Sequence, residues 1–578
     1  MNVRFESWYV RAEDGPGWFR LRLVNAGPDE LADFQLAFQS VVQLTPVDPA
    51  VTLVSRRSGH HVVASDGVVV PPGRCWDVGL LTCGHRPRHA NDGPVGAYVV
   101  HRDGATRPVR VAPSAPAPTV AARAVVPALT LAADAGDDLR AAAAVAARCE
   151  QRLWGPGVGI VDGAGGQTVV RVEFDAAVGH GAFVVAAREG VLDLRVAALA
   201  ELPGALLALA RARRNGDDGV GVHRPRWTWR GLHIDLARQF FPSDDVLHLI
   251  DVAAWHGLNR LHLHLTDDEG WRVPIAGYPA LTDTAAYRGH GLMIPPLLGS
   301  GPDPYGGSYT RGDIAGWAVR AGALGVELVP EIDLPGHCFA ARAALAELVD
   351  PADTTSAASL QHFTGNVLDP GLPSTWRFLE AVFESVADLF AGRWLHVGGD
   401  EVPTGAWSAA PAALAWAAAR GLSGATEIEA AFLGEIVRLA RDTTGCSIGV
   451  WQDVADGGLP PGEAYVVGWR SAEDCRRLAA AGHDVVAGPA EVYYLDMAES
   501  AEWHAPGTSW AGHTPVDAVA AFDPAAGWST TERARLLGIQ AALWTEHVPD
   551  RPALERLLYP RLAAVARAAW TVQPPFCT

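Results

Sequence analysis

Lysine is absent from this chain: all 46 basic residues among its 578 are arginine. Together with abundant alanine, glycine and proline, that reads as a coding bias, and no function follows from it. Cysteine is sparse. Its seven positions (75, 83, 149, 338, 446, 475 and 577) are odd in number, scattered and without CxxC spacing. That excludes a paired-thiolate metal or redox motif and fits free thiols in a reducing compartment. No run of eighteen apolar residues occurs, so no helical membrane span is expected. The opening MNVRFESW has neither an apolar core of signal-peptide length nor a small-residue cleavage site, and the expected address is the cytoplasm. Positive charge is also short. The net charge of −19 argues against nucleic acid and anionic membranes as partners. There is no phosphate-binding loop and no Ser-His-Asp order.

Hydrophobic content of 49% with 19% charged residues is that of a folded globular enzyme, and 578 residues exceed one domain, so two to four are expected. Twenty tryptophans are many, and carbohydrate sites set flat aromatic faces against sugar rings. Residues 1–112 alternate short β-rich runs (WFRLRLVNAG, FQLAFQSVV, GAYVVHRDG) with turns, which predicts a β-sandwich, carbohydrate-binding-like in type. The Pro- and Ala-rich stretch 111–122 reads as a linker. Residues 113–222 mix an Ala-rich helix, strands, a hairpin and a second helix, and are expected to form a small α+β domain.

From 223 to the end at 578, eight short apolar runs alternate with helical segments. This is the pattern of a (β/α)₈ TIM barrel, an α/β fold. Nearly every run ends in polar or aromatic residues: Asp235 and Arg238, Asp267 and Asp268, Asp333 and His337, Asp400 and Glu401, Trp451 and Asp453, Trp469, Tyr494 and Asp496, Trp544 and Glu546. Barrel active sites gather at the C-terminal strand ends, so these side chains are predicted to converge on one pocket.

The most informative stretch is RWLHVGGDEVP, 393–403. An apolar strand runs into two glycines, where bare backbone permits close approach, and then into adjacent carboxylates. Like charges held together push one pKa up while the other group stays ionised, which supplies a proton donor beside a charge stabiliser. A lone Asp-Glu pair is ordinarily a solvated turn; eight strand ends of this kind in register are not. Carboxylates, one arginine and stacking tryptophans suit uncharged, hydroxyl-rich ligands, and an adjacent acid/base pair suits cleavage of an acetal. Two other readings compete. His262 and His264 in LHLHL could form a metal pair with Asp267, Asp333 and His337 as further ligands, although the same strand alternation lets both simply pack and hydrogen-bond within the barrel. A binding protein without catalysis would leave the carboxylate pair idle.

The motifs RGLHIDLARQFF, LNRLHLHLTDDEGWR, VPEIDLPGH, LHVGGDE, YYLD (493–496) and ALWTEHV span most of 228–548 and resemble the β-N-acetylhexosaminidases of glycoside hydrolase family 20. The α+β segment fits the small domain that commonly precedes this barrel, and residues 1–112 resemble, more weakly, the sandwich at the front of chitobiase-like bacterial members. The resemblance implies an exo-acting, retaining hydrolase of terminal β-linked N-acetylhexosamine (GlcNAc or GalNAc) with no cofactor and no metal. It implies Glu401 as the acid/base, and the substrate's own acetamide oxygen as nucleophile, giving an oxazolinium intermediate. Asp400 would orient the acetamide N–H and Tyr494 its oxygen. Trp451, Trp469 and Trp544 would wall the pocket, with Asp453 among the substrate-binding residues. Arg238, with Asp267 and Glu546, would bind ring hydroxyls, and Asp496 the hydroxymethyl region. His337 and Asp333 would support the acid/base. Departures from the family pattern are Glu269 and Arg311, where glutamine is frequent, and the loop 289–304. All three are expected near a leaving-group subsite.

Overall fold

The structure, a computed structural model, describes residues 2–11, 17–83, 86–111, 128–155, 160–161 and 168–570. Most of the expected linker lies outside them.

Two five-stranded sheets face one another at the N-terminus. One carries Val3–Val10, Trp18–Asn25 and Cys75–Cys83; the other carries Phe34–Gln39, His60–Ala64 and Val95–His101. Their pairing is almost wholly antiparallel, and the strand Trp18–Asn25 alternates inward Phe19, Leu21 and Leu23 with half-exposed arginines. That period of two gives the sandwich a core separate from the barrel's. A six-stranded mixed sheet with the helices Asp137–Trp154 and Leu202–Arg214 follows.

The rest is a closed barrel of eight parallel strands in chain order. They are β1 (Trp229–Asp235), β2 (Arg260–His264), β3 (Glu327–Glu331), β4 (Trp394–His396), β5 (Ser447–Trp451), β6 (Tyr465–Gly468), β7 (Val485–Ala487) and β8 (Leu536–Leu543). All eight apolar runs are strands, as the sequence predicts. They read as near-continuous apolar segments because both faces are buried, one in the barrel and one under the helices. The barrel interior is layered. Trp229, Trp394 and Tyr465 pack with centroids 5.1–5.5 Å apart. Nearer the strand ends His233, His262, His264 and His396 surround Glu331. Paired register sets His264 beside Glu331 and Glu331 beside His396.

Candidate active site

The site is built where β4 ends. Gly398 and Gly399 take φ values of +68° and +99°, which a side chain would strain. Space is as restrictive as the dihedral. A Cβ on Gly398 would lie 1.8 Å from Asp333 Oδ1, and one on Gly399 2.3 Å from Val454 Cγ2. The bare backbone lets Asp333 close in, and the Gly399 N–H donates to its Oδ1 at 3.1 Å. The chain then turns through Glu401, itself at φ +49°, so that neighbouring carboxylates meet different surroundings.

Asp400 is buried, and its Oδ1 has no hydrogen-bond partner among the described residues. Burial, with Glu401 and Asp453 adding to it against His337, pushes its carboxyl up to about 7. Glu401 is more open, its side chain 21% exposed. Its Oε2 lies 3.8 Å from His337 Nε2 and accepts a long hydrogen bond (3.4 Å) from Gln361 Nε2. Burial and then Asp400 hold Asp333 well above the usual carboxylate range.

Behind Glu401 runs a chain of alternating charge. His337 Nδ1 lies 3.1 Å from Asp267 Oδ1, while Asp267 Oδ2 faces Arg238 Nη2 at 2.8 Å and His264 Nε2 at 2.7 Å. His264 Nδ1 in turn lies 2.9 Å from Glu331 Oε2. Burial alone would neutralise these groups. Instead Glu331 and Asp267 hold His264 well above the histidine range, and Arg238, His337 and His264 hold Asp267 well below the carboxylate range. Glu331 completes the hub by accepting from Trp451 Nε1 at 2.7 Å and pairing with His396 Nδ1 at 2.9 Å.

The aromatic walls are tied down in the same way. Trp451 is buried and held by Glu331. Trp469 Nε1 donates to Asp453 Oδ2 (2.8 Å), and Arg470 takes the other oxygen of Asp453. Asp453, expected to bind substrate, therefore has both oxygens engaged within the protein and orients Trp469. Trp469 and Tyr494 stand 6.4 Å apart and nearly parallel; Trp544 lies 6.3 Å from Tyr494 and 5.8 Å from Trp451. Arg238 sits over the Trp544 ring at 5.0 Å. Asp496 accepts from the Trp544 N–H at 3.2 Å, and burial, reinforced by Glu546, pushes it up to about 8. Burial also raises Glu546, against Arg238.

The residues that depart from the family pattern meet three different surroundings. Glu269 is buried against Arg238 (Oε2 to Nε 3.2 Å), and burial, with Asp267 adding to it, pushes it up to about 8. Arg311 is 66% exposed and pairs with Asp388 on the surface. Loop 289–304 reaches the site through Leu298, whose carbonyl accepts from Gln239 Nε2 at 3.1 Å, next to Arg238.

His262 and His264, the candidate metal pair, face one carboxylate instead: His262 Nε2 is 3.1 Å and His264 Nδ1 2.9 Å from Glu331 Oε2. Donor atoms of His264, Asp267 and Asp333 lie within 4.8 Å of one another, close enough to ligate a cation. Both nitrogens of His264 are nonetheless committed to carboxylates, so the donor chemistry fits hydrogen bonding better than ligation. Burial lowers His262 to about 3, so its ring is neutral.

Sequence reasoning missed Glu331, Gln361 and Trp510. The first was within reach, since it stands two residues after Val329 on an inward-facing strand. Gln361 and Trp510 sit in irregular loops that no periodicity marks. Trp510 is 52% exposed and edge-on to Trp469 and Tyr494, each 5.8 Å away.

The chain is similar to known proteins. A β-hexosaminidase of Vibrio furnissii is 36% identical over 378 residues, 64% of this chain and 61% of that protein's length. A β-N-acetylhexosaminidase of Cellulomonas fimi is 33% identical over 76% of this chain and 85% of its own. The crystal structure of a GH20 exo-β-N-acetylglucosaminidase from Vibrio harveyi, in complex with N-acetylglucosamine, superposes with a TM-score of 0.85 at 26% identity, covering 99% of this chain and 95% of that one. The family model for the glycosyl hydrolase family 20 catalytic domain matches residues 227–573, and the chain belongs to that family.

Proposed function

We propose that this chain is an exo-acting β-N-acetylhexosaminidase that releases terminal β-linked N-acetylhexosamine with retention, using the substrate's acetamide as nucleophile. The observation that carries this reading is Asp400: a buried carboxylate with an oxygen unpartnered among the described residues, next to the more open Glu401 and near enough to Tyr494 to affect it electrostatically. An ordinary retaining glycosidase needs a second carboxylate about 5 Å across the scissile bond, placed to attack the sugar. Here Asp400 lies beyond the two glycines that end β4, buried and with one oxygen unpartnered among the described residues, which suits an acetamide N–H better than attack on the anomeric carbon.

In the first step the acetamide oxygen attacks C1. The C1–O bond breaks, and the departing oxygen takes the proton of Glu401. Asp400, ionised, holds the acetamide N–H and offsets the positive charge that develops on the oxazolinium. In the second step Glu401 takes a proton from water as the water oxygen attacks C1 and the oxazolinium ring opens, restoring both acid and acetamide. Arg238, Asp267 and Glu546 engage the ring hydroxyls, Asp496 the hydroxymethyl region, and the three tryptophans the ring and acetamide faces. C1 lies next to the acetamide-bearing C2, so the exposed Trp510 beside Trp469 and Tyr494 borders the leaving group and offers it a stacking face. The substrates are chito-oligosaccharides or glycan termini.

The test compares an activated aryl β-N-acetylglucosaminide with the corresponding β-glucoside. The glucoside should be essentially inert, and a thiazoline analogue of the bicyclic intermediate should bind far more tightly than the product sugar. A glucoside cleaved as fast, or a covalent sugar ester trapped on a carboxylate, would replace the acetamide with a protein nucleophile.

A further inference from the structure

The loop between Asp496 and Thr514 leaves the barrel and returns without regular secondary structure, closed at its base where the Thr508 N–H donates to the Asp496 carbonyl (2.8 Å) and Thr514 N–H to the Ala498 carbonyl (3.0 Å). Fixing so long an irregular segment is entropically costly, and its tip must be held by something. The holder is the N-terminal sandwich. Trp503 packs against the sandwich's own hydrophobic core and stacks on Tyr9, centroids 5.5 Å apart and 15° from parallel. His89 Nδ1 pairs with the Glu502 carbonyl (3.0 Å), and the Ala90 N–H donates to the Trp503 carbonyl (2.8 Å). The Arg88 guanidinium donates to the carbonyl of Ser509, one residue before Trp510. The ring of Trp510 is half open to solvent and, among the described residues, its ring contacts are perpendicular ones with Trp469 and Tyr494, so packing alone does not fix it.

We propose that the N-terminal sandwich is a positioning element of the active site, holding the 499–513 loop through Arg88, His89 and Ala90 so that Trp510 stands at the leaving-group rim. The inference rests on the reading of Trp510 as a stacking face. It assigns Arg88 as a positioning residue: it does not touch substrate but sets the residue that does. The sandwich grips the other end of the pocket too. Gln39 accepts from the Gly299 N–H, and Tyr98 OH pairs with His290 Nδ1 (3.2 Å).

The experiment uses the full chain. KM and kcat are measured on a chito-disaccharide, and inhibition is measured with the thiazoline analogue, which fills only the ring and acetamide pocket. Trp510→Ala should raise KM for the disaccharide about tenfold and leave thiazoline inhibition within about twofold. Arg88→Ala should do the same in part, about three- to fivefold on KM, and Arg88→Lys, which keeps a donor, should recover most of it. If Trp510→Ala leaves the disaccharide untouched, the reading of Trp510 fails and the inference with it. If Trp510→Ala behaves as stated but Arg88→Ala does not move KM, or weakens disaccharide and thiazoline equally as a general disturbance would, the positioning role alone is overturned.

Discussion

Asp400 and Glu401 are adjacent in the chain yet meet different surroundings: Asp400 is buried, while Glu401, at a positive φ, is more open. In the proposed mechanism Glu401 is the general acid and so matters most when the leaving group is poor. Glu401→Gln should lower turnover of a natural disaccharide by roughly 10²–10⁴-fold and of an activated aryl glycoside by much less; equal losses would assign the acid elsewhere. The proposed mechanism needs Asp400 ionised, and its carboxyl is pushed up to about 7 by burial first and Glu401 next. In the free enzyme kcat/KM should therefore fall as pH drops below about 7, which a pH–rate profile reads directly. The sign for stability is the reverse. A group whose folded pKa lies above its unfolded value stabilises the fold when protonated, and that contribution is lost as pH rises through about 7. Asp400→Asn should thus be inactive yet melt higher than the parent at pH 8, by roughly 2 °C, with the gap closing toward pH 4.

At the scale of one element, the end of β4 is bare where Gly398 admits Asp333 and Gly399 admits Val454. Gly398→Ala would put a methyl 1.8 Å from Asp333 Oδ1 in a backbone conformation that alanine rarely adopts. One of them must move, and a displacement near 1 Å at a reacting site costs on the order of 10²-fold in rate. The variant should therefore fold, by circular dichroism, and lose at least that much kcat. Wild-type kcat in Gly398→Ala would mean that the turn does not set the geometry. The neighbouring strands cooperate by alternation: β2 and β3 turn His262, His264 and Glu331 inward, and β5 delivers Trp451 onto the same carboxylate.

At the scale of the molecule, five strands contribute to one polar layer under the pocket, with His233, His262, His264, His396, Trp451 and Glu331 in mutual contact. These donors are turned onto a carboxylate, so catalysis should survive dialysis against a strong chelator. Loss of activity that returned with Zn²⁺ or Mn²⁺ would revive the metal reading of His262 and His264. Above this layer the sandwich, the barrel loops and the rim form one continuous contact, from Tyr9 and Arg88 to Trp510.

Much of this was determined by the sequence itself. All eight strands were legible because burial on both faces writes them as short apolar runs, and the carboxylates, Arg238 and the tryptophans were legible because a barrel collects whatever follows its strands. Residues whose role depends on a distant partner were not. Glu269 and Arg311 stand out in the sequence only as departures from a family pattern; their pairing with Arg238 and with Asp388 is visible only in the fold. Asp453 has its oxygens engaged by Trp469 and Arg470. The hub at Glu331 and the hold of the sandwich on Trp510 join positions up to 421 residues apart, as between Arg88 and Ser509. Local periodicity carries no information across such a separation, so only the closed fold could decide them.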